Sequence, residues 1–461
     1  MDNEIRDKNT WCKMDSSQID LAYEFSKGYV EFLNQAKIER EVVEYIVDVA
    51  SNKGFKNLDE LSTVKPGQKL IYKLKDKVCA LIVIGEKPIE AGANIIASHI
   101  DSPRIDLKAN PLYEADGQAL FKTHYYGGIK KYQWVTIPLA LHGVVIKKTG
   151  EKINIKIGEE QDDLVLTISD LLPHLAKNQM AKKASEVIEG EDLNVLVGGR
   201  PLLDVKKNHI KGYILQILKE KYNILEDDFT SAELQLVPAF KASDVGLDRS
   251  MVGGYGQDDR VCAYTSLKAI LEVEKPATTA ICLFVDKEEI GSTGNTGLQS
   301  LLIENLIADL AQKMGEKDYF KVRKCLANSN ALSADVNAAV DPNYPEVFDK
   351  LNCSFMSNGV VLTKYTGSRG KSGSNDANPE FVAGIRNLLD KHEIVWQTGE
   401  LGKVDIGGGG TVAQYMAWYG MEVIDCGVAV LSMHSPFEVT SKADIFMAYR
   451  AYKEFMQGFS L

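Results

Sequence analysis

The sequence predicts an α/β fold in which one α/β/α domain, built from both ends of the chain, is interrupted by a β-rich insert. Three observations carry this reading. Apolar runs stop at polar clusters, as in ANIIASHIDSP around His99 and TTAICLFVDKEEIGS around Glu288 and Glu289. Helical and strand patterns alternate up to about residue 106 and again from about residue 247. Between residues 107 and 246 the polar clusters cease and β-type segments dominate.

From Asp20 to about Lys53, Leu21, Phe25, Phe32, Leu33, Val42, Val43, Ile46 and Val47 recur at intervals of three and four, the period of a helix with one buried face. QKLIYKLK, VCALIVIG and ANIIASHI follow as short strands separated by Lys, Asp and Gly turns. In the insert WVTIPLALHGVVIKK, KINIKIG and DLVLTIS read as β structure, Asn208 to Tyr222 as a helix and AELQLVPAF as a strand. The first rhythm then resumes with DDRVCAYTSLKAILEVE as a helix, TTAICLFVD as a strand and GNTGLQSLLIENLIADLAQKM as a helix. VWQTGEL, GTVAQYMAWYG as a helix, MEVIDCGVAVLS and ADIFMAYRAYKEFMQGF complete it. Residues 1–106 and 247–461 therefore form one discontinuous domain, and residues 107–246 the insert.

At 461 residues and 45% hydrophobic content the chain can bury a large core. Its 53 Lys and Arg against 64 Asp and Glu give a net charge of −11, with the acidic excess spread along the chain. That disfavours nucleic acid, which needs a clustered basic face, and suits a cytoplasmic protein. The opening MDNEIRDKNTWCKMDSSQ has no apolar core of a signal peptide, and no apolar run approaches the roughly 18 to 20 residues of a membrane span. Cys12, Cys79, Cys262, Cys282, Cys325, Cys353 and Cys426 are isolated and odd in number, as expected of reduced thiols.

Against this background a dispersed set of ligand-type residues stands out: His99, Asp101, Asp258, Glu288, Glu289, Asp335 in LSADVNA and His434 in VLSMHSP. His99 and Asp101 lie two apart, on one face of a strand, so the carboxylate can orient the imidazole. Asp258 and Asp259 follow MVGGYGQ and precede a helix, where a carboxylate either caps the helix or bridges two ions. Glu288 and Glu289 are consecutive at a strand end, so one can ligate while the other faces a bound water as general base. Two imidazoles and several carboxylates suit zinc or a similar divalent ion, whose pull on bound water supplies hydroxide near neutral pH. The set points to a metallohydrolase. Gly407 to Gly410 before TVAQYMAWY lacks a phosphate-loop setting and reads as a close backbone approach to substrate. No GxSxG occurs, and no cysteine stands out as a nucleophile.

At these residues the chain resembles the M18 family of metallo-aminopeptidases, that of aspartyl aminopeptidase and vacuolar aminopeptidase I. HIDSP, YYGGI, PHLA, DKEEIGS, SADVNAAVDPNYP and SMHSPFE occur in the family's order along nearly the whole chain. The resemblance implies a zinc-peptidase-like catalytic domain and a co-catalytic pair of Zn2+ ions per subunit, with Co2+ or Mn2+ as substitutes. His99, Asp258 and Asp335 would hold one ion, and Asp258, Glu289 and His434 the other. Glu288 would be the general base, Asp101 would orient His99, and a cis peptide would follow Asp258. It further implies peptide substrates cleaved at the amino end and an insert that pairs subunits into dimers assembling to a dodecamer. His174 of PHLA would approach a neighbouring subunit's site, and Lys364 and Tyr365 would line the substrate pocket. Asp259 stands where aspartyl aminopeptidases have Asn, so a preference for acidic first residues does not follow. The alternatives are an N-acyl amino acid deacylase or desuccinylase on the same site, and a non-catalytic assembly protein on the same fold.

Overall fold

A computed structural model describes residues 8–160, 162–203 and 207–461. The chain divides into two compact units. One comprises the residues up to Asp101 with Ala242–Met433 and Phe437–Leu461; the other comprises Ser102–Lys241 with His434–Pro436.

The first unit is organised by a nine-stranded mixed sheet. Its order is Lys56–Asn57, Lys69–Leu74, Val78–Val83, Thr279–Val285, Ala93–His99, Asn330–Ser333, Glu422–Gly427, Val360–Thr363 and Trp396–Thr398. The strands Thr279–Val285, Ala93–His99, Asn330–Ser333 and Glu422–Gly427 run parallel at its centre. These inner strands are apolar on both faces because both are covered, as in parallel sheets generally. Successive residues of Val78–Val83 alternate between two cores: Cys79, Leu81 and Val83 pack into one, Val78, Ala80 and Ile82 into the other. The helices Ser16–Gln35, Glu39–Asn52, Gln257–Leu271, Pro379–Lys391 and Lys442–Gly458 supply the first core. Leu302–Lys313, Tyr319–Ala327 and Ala413–Ala417 supply the second. A second sheet orders Ser243–Val245, Met251–Gly254, Glu438–Ser441, Ala429–Leu431 and Asn337–Ala338.

The helical pattern expected from Asp20 to about Lys53 is formed by two helices. The first starts earlier because Asp15 and Gln18 form a capping box. It ends at Gln35 and the second begins at Glu39, with Ile38 extended between them. One tertiary and one local contact fix the break: the buried Arg260 guanidinium donates to the Lys37 carbonyl, and the Lys37 N–H donates to Glu41 Oε2 at 2.9 Å. Leu21, placed on the apolar stripe by spacing, is 53% exposed. MEVIDCGVAVLS is two strands, since Glu422–Gly427 joins the nine-stranded sheet and Ala429–Leu431 the five-stranded one.

Asp444, in the first turn of the last helix, is the anchor that ties this helix to two distant segments. Its carboxylate accepts the N–H groups of Ser357 at 2.6 Å and Gly359 at 2.7 Å, and the Thr10 hydroxyl at 3.4 Å. Asp444→Ala leaves those donors in a buried place without their acceptor. The expected cost is about 3 kcal/mol, read as a lower urea midpoint with an unchanged slope.

The second unit holds a six-stranded antiparallel sheet, ordered Lys152–Ile157, Leu139–Ile146, Ala232–Pro238, Arg104–Ala115, Gln118–Tyr126 and Val195–Gly198. The helix His209–Tyr222 accompanies it. DLVLTIS contributes only isolated bridges at Leu166 and Thr167, so this segment is not a strand.

Candidate metal centre

Three neighbouring parallel strands bring the site together at one edge of the sheet. Val285 pairs with His99, and Ser333 with Ala97, so the carboxyl ends of all three strands finish side by side. That edge is where open α/β sheets collect ligands. His99 closes one strand, Asp335 lies two residues beyond another, and Glu288 and Glu289 lie on a turn just after the third. Asp258 arrives from the start of Gln257–Leu271, where it and Asp259 have non-helical backbone and are joined by a cis peptide.

Side-chain donors of His99, Asp258 and Glu289 all lie within 4.8 Å of one another, and so do those of His99, Glu288 and Asp335. Five expected residues thus converge, with His99 common to both groups. Glu288 and Glu289 are not on opposite sides of a strand end. They share a single 3-10 turn, Glu288–Ile290, flanked by left-handed Lys287 and Gly291, and both face His99.

The hydrogen bonds of His99 say what the cluster needs. Its Nδ1 lies 3.0 Å from the Asp101 carbonyl oxygen, which can only accept, so the ring proton belongs on Nδ1. Nε2 then turns its lone pair toward Asp258 Oδ1 at 3.0 Å and Asp335 Oδ1 at 3.9 Å. Lone pairs facing carboxylate oxygens at that distance require a positive charge among them, either a second ring proton or a metal ion. Burial alone would depress the imidazole, but its bonds with Asp101 and Asp258 and the charges of Asp258 and Asp335 raise it well above its ordinary value. Burial also drives Asp335 well above the usual carboxylate range; His99 opposes the rise, and Asp259, Glu288 and Asp258 add to it. Asp259 is raised as well, chiefly by burial. Borderline nitrogen and hard oxygen donors, crowded and anionic, fit a divalent cation such as zinc.

The supporting contacts depart from the sequence reading in one respect. The Asp101 carboxylate lies 3.5 Å from His99 Nδ1, farther than its own carbonyl, and accepts the N–H groups of Glu288 at 3.1 Å and Glu289 at 3.2 Å. Asp101 therefore fixes the glutamate turn as directly as it fixes the imidazole. Glu438, which sequence reasoning passed over, accepts the Asp258 N–H on Oε2 at 3.1 Å and is 1% exposed. Its only signal was its place at the end of SMHSPFE.

Gly427 shows how tightly Asp335 is backed. A Cβ there would fall 2.0 Å from the Asp335 carbonyl oxygen and 2.6 Å from its carbonyl carbon. Gly427→Ala must therefore move the Asp335 backbone. We expect roughly tenfold weaker zinc binding, of the size seen when support behind a ligand is altered, measured by competition with a chromophoric chelator.

The remaining expected residues lie elsewhere. His434 belongs to the second unit, in a left-handed conformation with φ 65°, and its Nδ1 donates to the Gly128 carbonyl of YYGGI at 2.9 Å. The same tautomer argument as for His99 places its ring proton on Nδ1. His174 is exposed on a turn of that unit. In the first unit Lys364 is exposed, and the Tyr365 hydroxyl donates to Glu400 at 2.6 Å. Gly408 and Gly409 pair with Ser368 and Gly367, and a Cβ on Gly408 would meet the Gly367 carbonyl oxygen at 2.3 Å. The close approach anticipated at the glycine run is thus to the chain's own backbone. No helix among the described residues is long and apolar enough to cross a membrane.

Known proteins resemble this chain along nearly its whole length. A family model described as aminopeptidase I zinc metalloprotease (M18) matches residues 32–456. A probable M18 family aminopeptidase 1 of Clostridium acetobutylicum is 52% identical over 456 residues, covering 98% of each chain. The crystal structure of an M18 aminopeptidase from Thermotoga maritima superposes with a TM-score of 0.94 at 45% identity, covering 98% of this chain and 99% of that one. That of aminopeptidase I from Clostridium acetobutylicum gives 0.91 at 51% identity, covering 97% and 98%. A Saccharomyces cerevisiae mApe1 dodecamer shares the fold, with a TM-score of 0.75 at 21% identity over 95% of this chain and 96% of that one.

Proposed function

The chain belongs to the M18 family of aminopeptidase I zinc metalloproteases and is a metallo-aminopeptidase, and from that premise we propose how its site works. The carrying observation is the convergence of His99, Asp258, Glu288, Glu289 and Asp335 on one sheet edge. His99, Asp258 and Asp335 would hold one zinc ion, and Asp258 and Glu289 would help to hold a second, to which His434 is assigned by family resemblance alone. When bound, the ions supply Lewis acidity that activates water and polarises a peptide carbonyl. Glu288 accepts the proton of the attacking water and returns it to the departing amine, releasing the first residue of a peptide. Asp101 keeps Glu288 and Glu289 in reach through their backbone N–H groups, and Glu438 does the same for Asp258.

Residues 107–246 serve assembly in this proposal, pairing subunits into dimers of a dodecamer such as the yeast relative forms. Neither the deacylase nor the non-catalytic alternative finds support among the relatives. The test is hydrolysis of unblocked dipeptides beginning with Asp, Glu, Leu, Lys and Ala, before and after chelation and after zinc is restored. Release of the first residue that disappears with chelator and returns with zinc is expected. Release that is indifferent to chelator would sink the metal-centred mechanism.

A further inference from the structure

The turn carrying Glu288 and Glu289 belongs to a loop whose neck is closed two residues earlier, at Asp286. The Asp286 N–H donates to the Thr296 carbonyl at 3.3 Å, and the Thr296 hydroxyl donates to Asp286 Oδ2 at 2.7 Å. Backbone and side chain thus clamp residues 286 and 296 together. The same Oδ2 lies 3.2 Å from Lys287 Nζ and 3.9 Å from Lys77 Nζ, and the Asp286 side chain is 1% exposed.

Lys77 comes from a remote part of the chain. It ends the tight hairpin between Lys69–Leu74 and Val78–Val83, where Lys75 and Asp76 have φ of 54° and 55° and the Lys77 N–H donates to Leu74 at 3.1 Å. A three-residue connection of this kind, with Leu74 paired to Val78, fixes where its last side chain departs. The Lys77 ammonium, on a side chain 11% exposed, also lies 3.4 Å from Oε1 of Glu39, which is fully buried at the first residue of Glu39–Asn52.

A cation set between two buried carboxylates is a poor source of stability, since removing such charges from water is costly and apolar side chains often fill such space as well. What it supplies is position. Lys287, 3.2 Å from the same Asp286 oxygen, belongs to the loop and moves with it, so Lys77 is the cation that ties Asp286 to Glu39. Without Lys77 the two carboxylates repel, and the loop neck is the movable partner because the other carboxylate is fixed in a helix. We propose that Lys77 is a positioning residue for the aminopeptidase reaction, holding the neck of the 286–296 loop so that Glu288 and Glu289 face His99. This rests on the metallo-aminopeptidase reading of the site.

The experiment compares wild type with Lys77→Met, which keeps the length of the stem, and Lys77→Arg, which keeps the charge. Zinc affinity is read by chelator competition, melting on the zinc-free protein, and kcat and KM on a cleaved dipeptide well below the melting range. Lys77→Met should weaken zinc about tenfold and lower kcat between about ten- and a hundredfold, with KM within about threefold. Lys77→Arg should recover most of both. A lower melting temperature with zinc affinity and kcat of the folded protein at wild-type values would make Lys77 merely structural and overturn the proposal. Should Lys77→Met fail to fold, Thr296→Val loosens the same neck without changing any charge; unchanged zinc affinity and kcat there would also overturn it. A wild-type protein that cleaves no peptide refutes the aminopeptidase mechanism instead, and the zinc comparison still reads the loop.

Discussion

Glu288→Gln lowers kcat by about three orders of magnitude while zinc content stays at the wild-type level. A general base contributes roughly a hundred- to ten-thousandfold, and an amide of the same shape cannot take the proton. The substitution leaves the scaffold alone, because Asp101 holds this turn through the Glu288 and Glu289 N–H groups and not through their side chains. The result also separates two roles that geometry brings close. Glu288 shares a donor group with His99 and Asp335, so it could ligate an ion as well as serve as the base. Metal analysis alongside kinetics decides between them. Zinc lost together with activity would make Glu288 a ligand, and activity within tenfold of wild type would remove it from the chemistry. Glu289→Gln is the contrast, expected to lose zinc and activity together.

Much of this arrangement was legible because of where apolar runs stop. ANIIASH and TAICLFV are buried at every position, so the polar residues that follow must emerge at the sheet's edge, and parallel neighbours must deliver them to the same edge. His99, Glu288, Glu289 and Asp335 could therefore be picked by residue type and position alone. The supporting residues could not. Lys77 follows a hairpin that resembles any Lys-Asp turn, and Asp286 looks like the first polar residue after a strand. Only tertiary structure places them 3.9 Å apart. Glu438 likewise opens a short strand, and its meaning comes from the Asp258 N–H, 180 residues away. The break at Ala36–Ile38 was hidden for the same reason. The apolar period runs on across it, and the competing bond comes from Arg260. The helices Tyr319–Ala327 and Pro379–Lys391 carry ordinary start signals, since Asp318 caps the first and Pro379 opens the second, but no metal-ligand residue marks either of them.

Asp258→Ala abolishes detectable turnover and weakens zinc at least a hundredfold. The position is doubly determined, since Oδ1 lies 3.0 Å from His99 Nε2 and the N–H is held by Glu438 at 3.1 Å. His99 offers no replacement carboxylate when the side chain is removed, and the Glu438 carboxylate is engaged by the Asp258 backbone N–H. Stoichiometry carries the sharper information. A bridging Asp258, as in the proposed mechanism, means that both ions are lost together. In the structure Asp258 belongs to only one of the two donor groups, the other being His99, Glu288 and Asp335. Were those groups independent, one zinc would remain on the second. Melting curves give a further check with opposite signs for the two states. In zinc-free protein the alanine removes one of several crowded carboxylates, so its melting temperature should not fall. Zinc at a thousandfold excess over Kd stabilises a folded protein by about 4 kcal/mol per site, and that gain should vanish in Asp258→Ala. A variant that still gains half the wild-type stabilisation, with one zinc bound, would show the two ions to be held separately and would require the bridge to be given up.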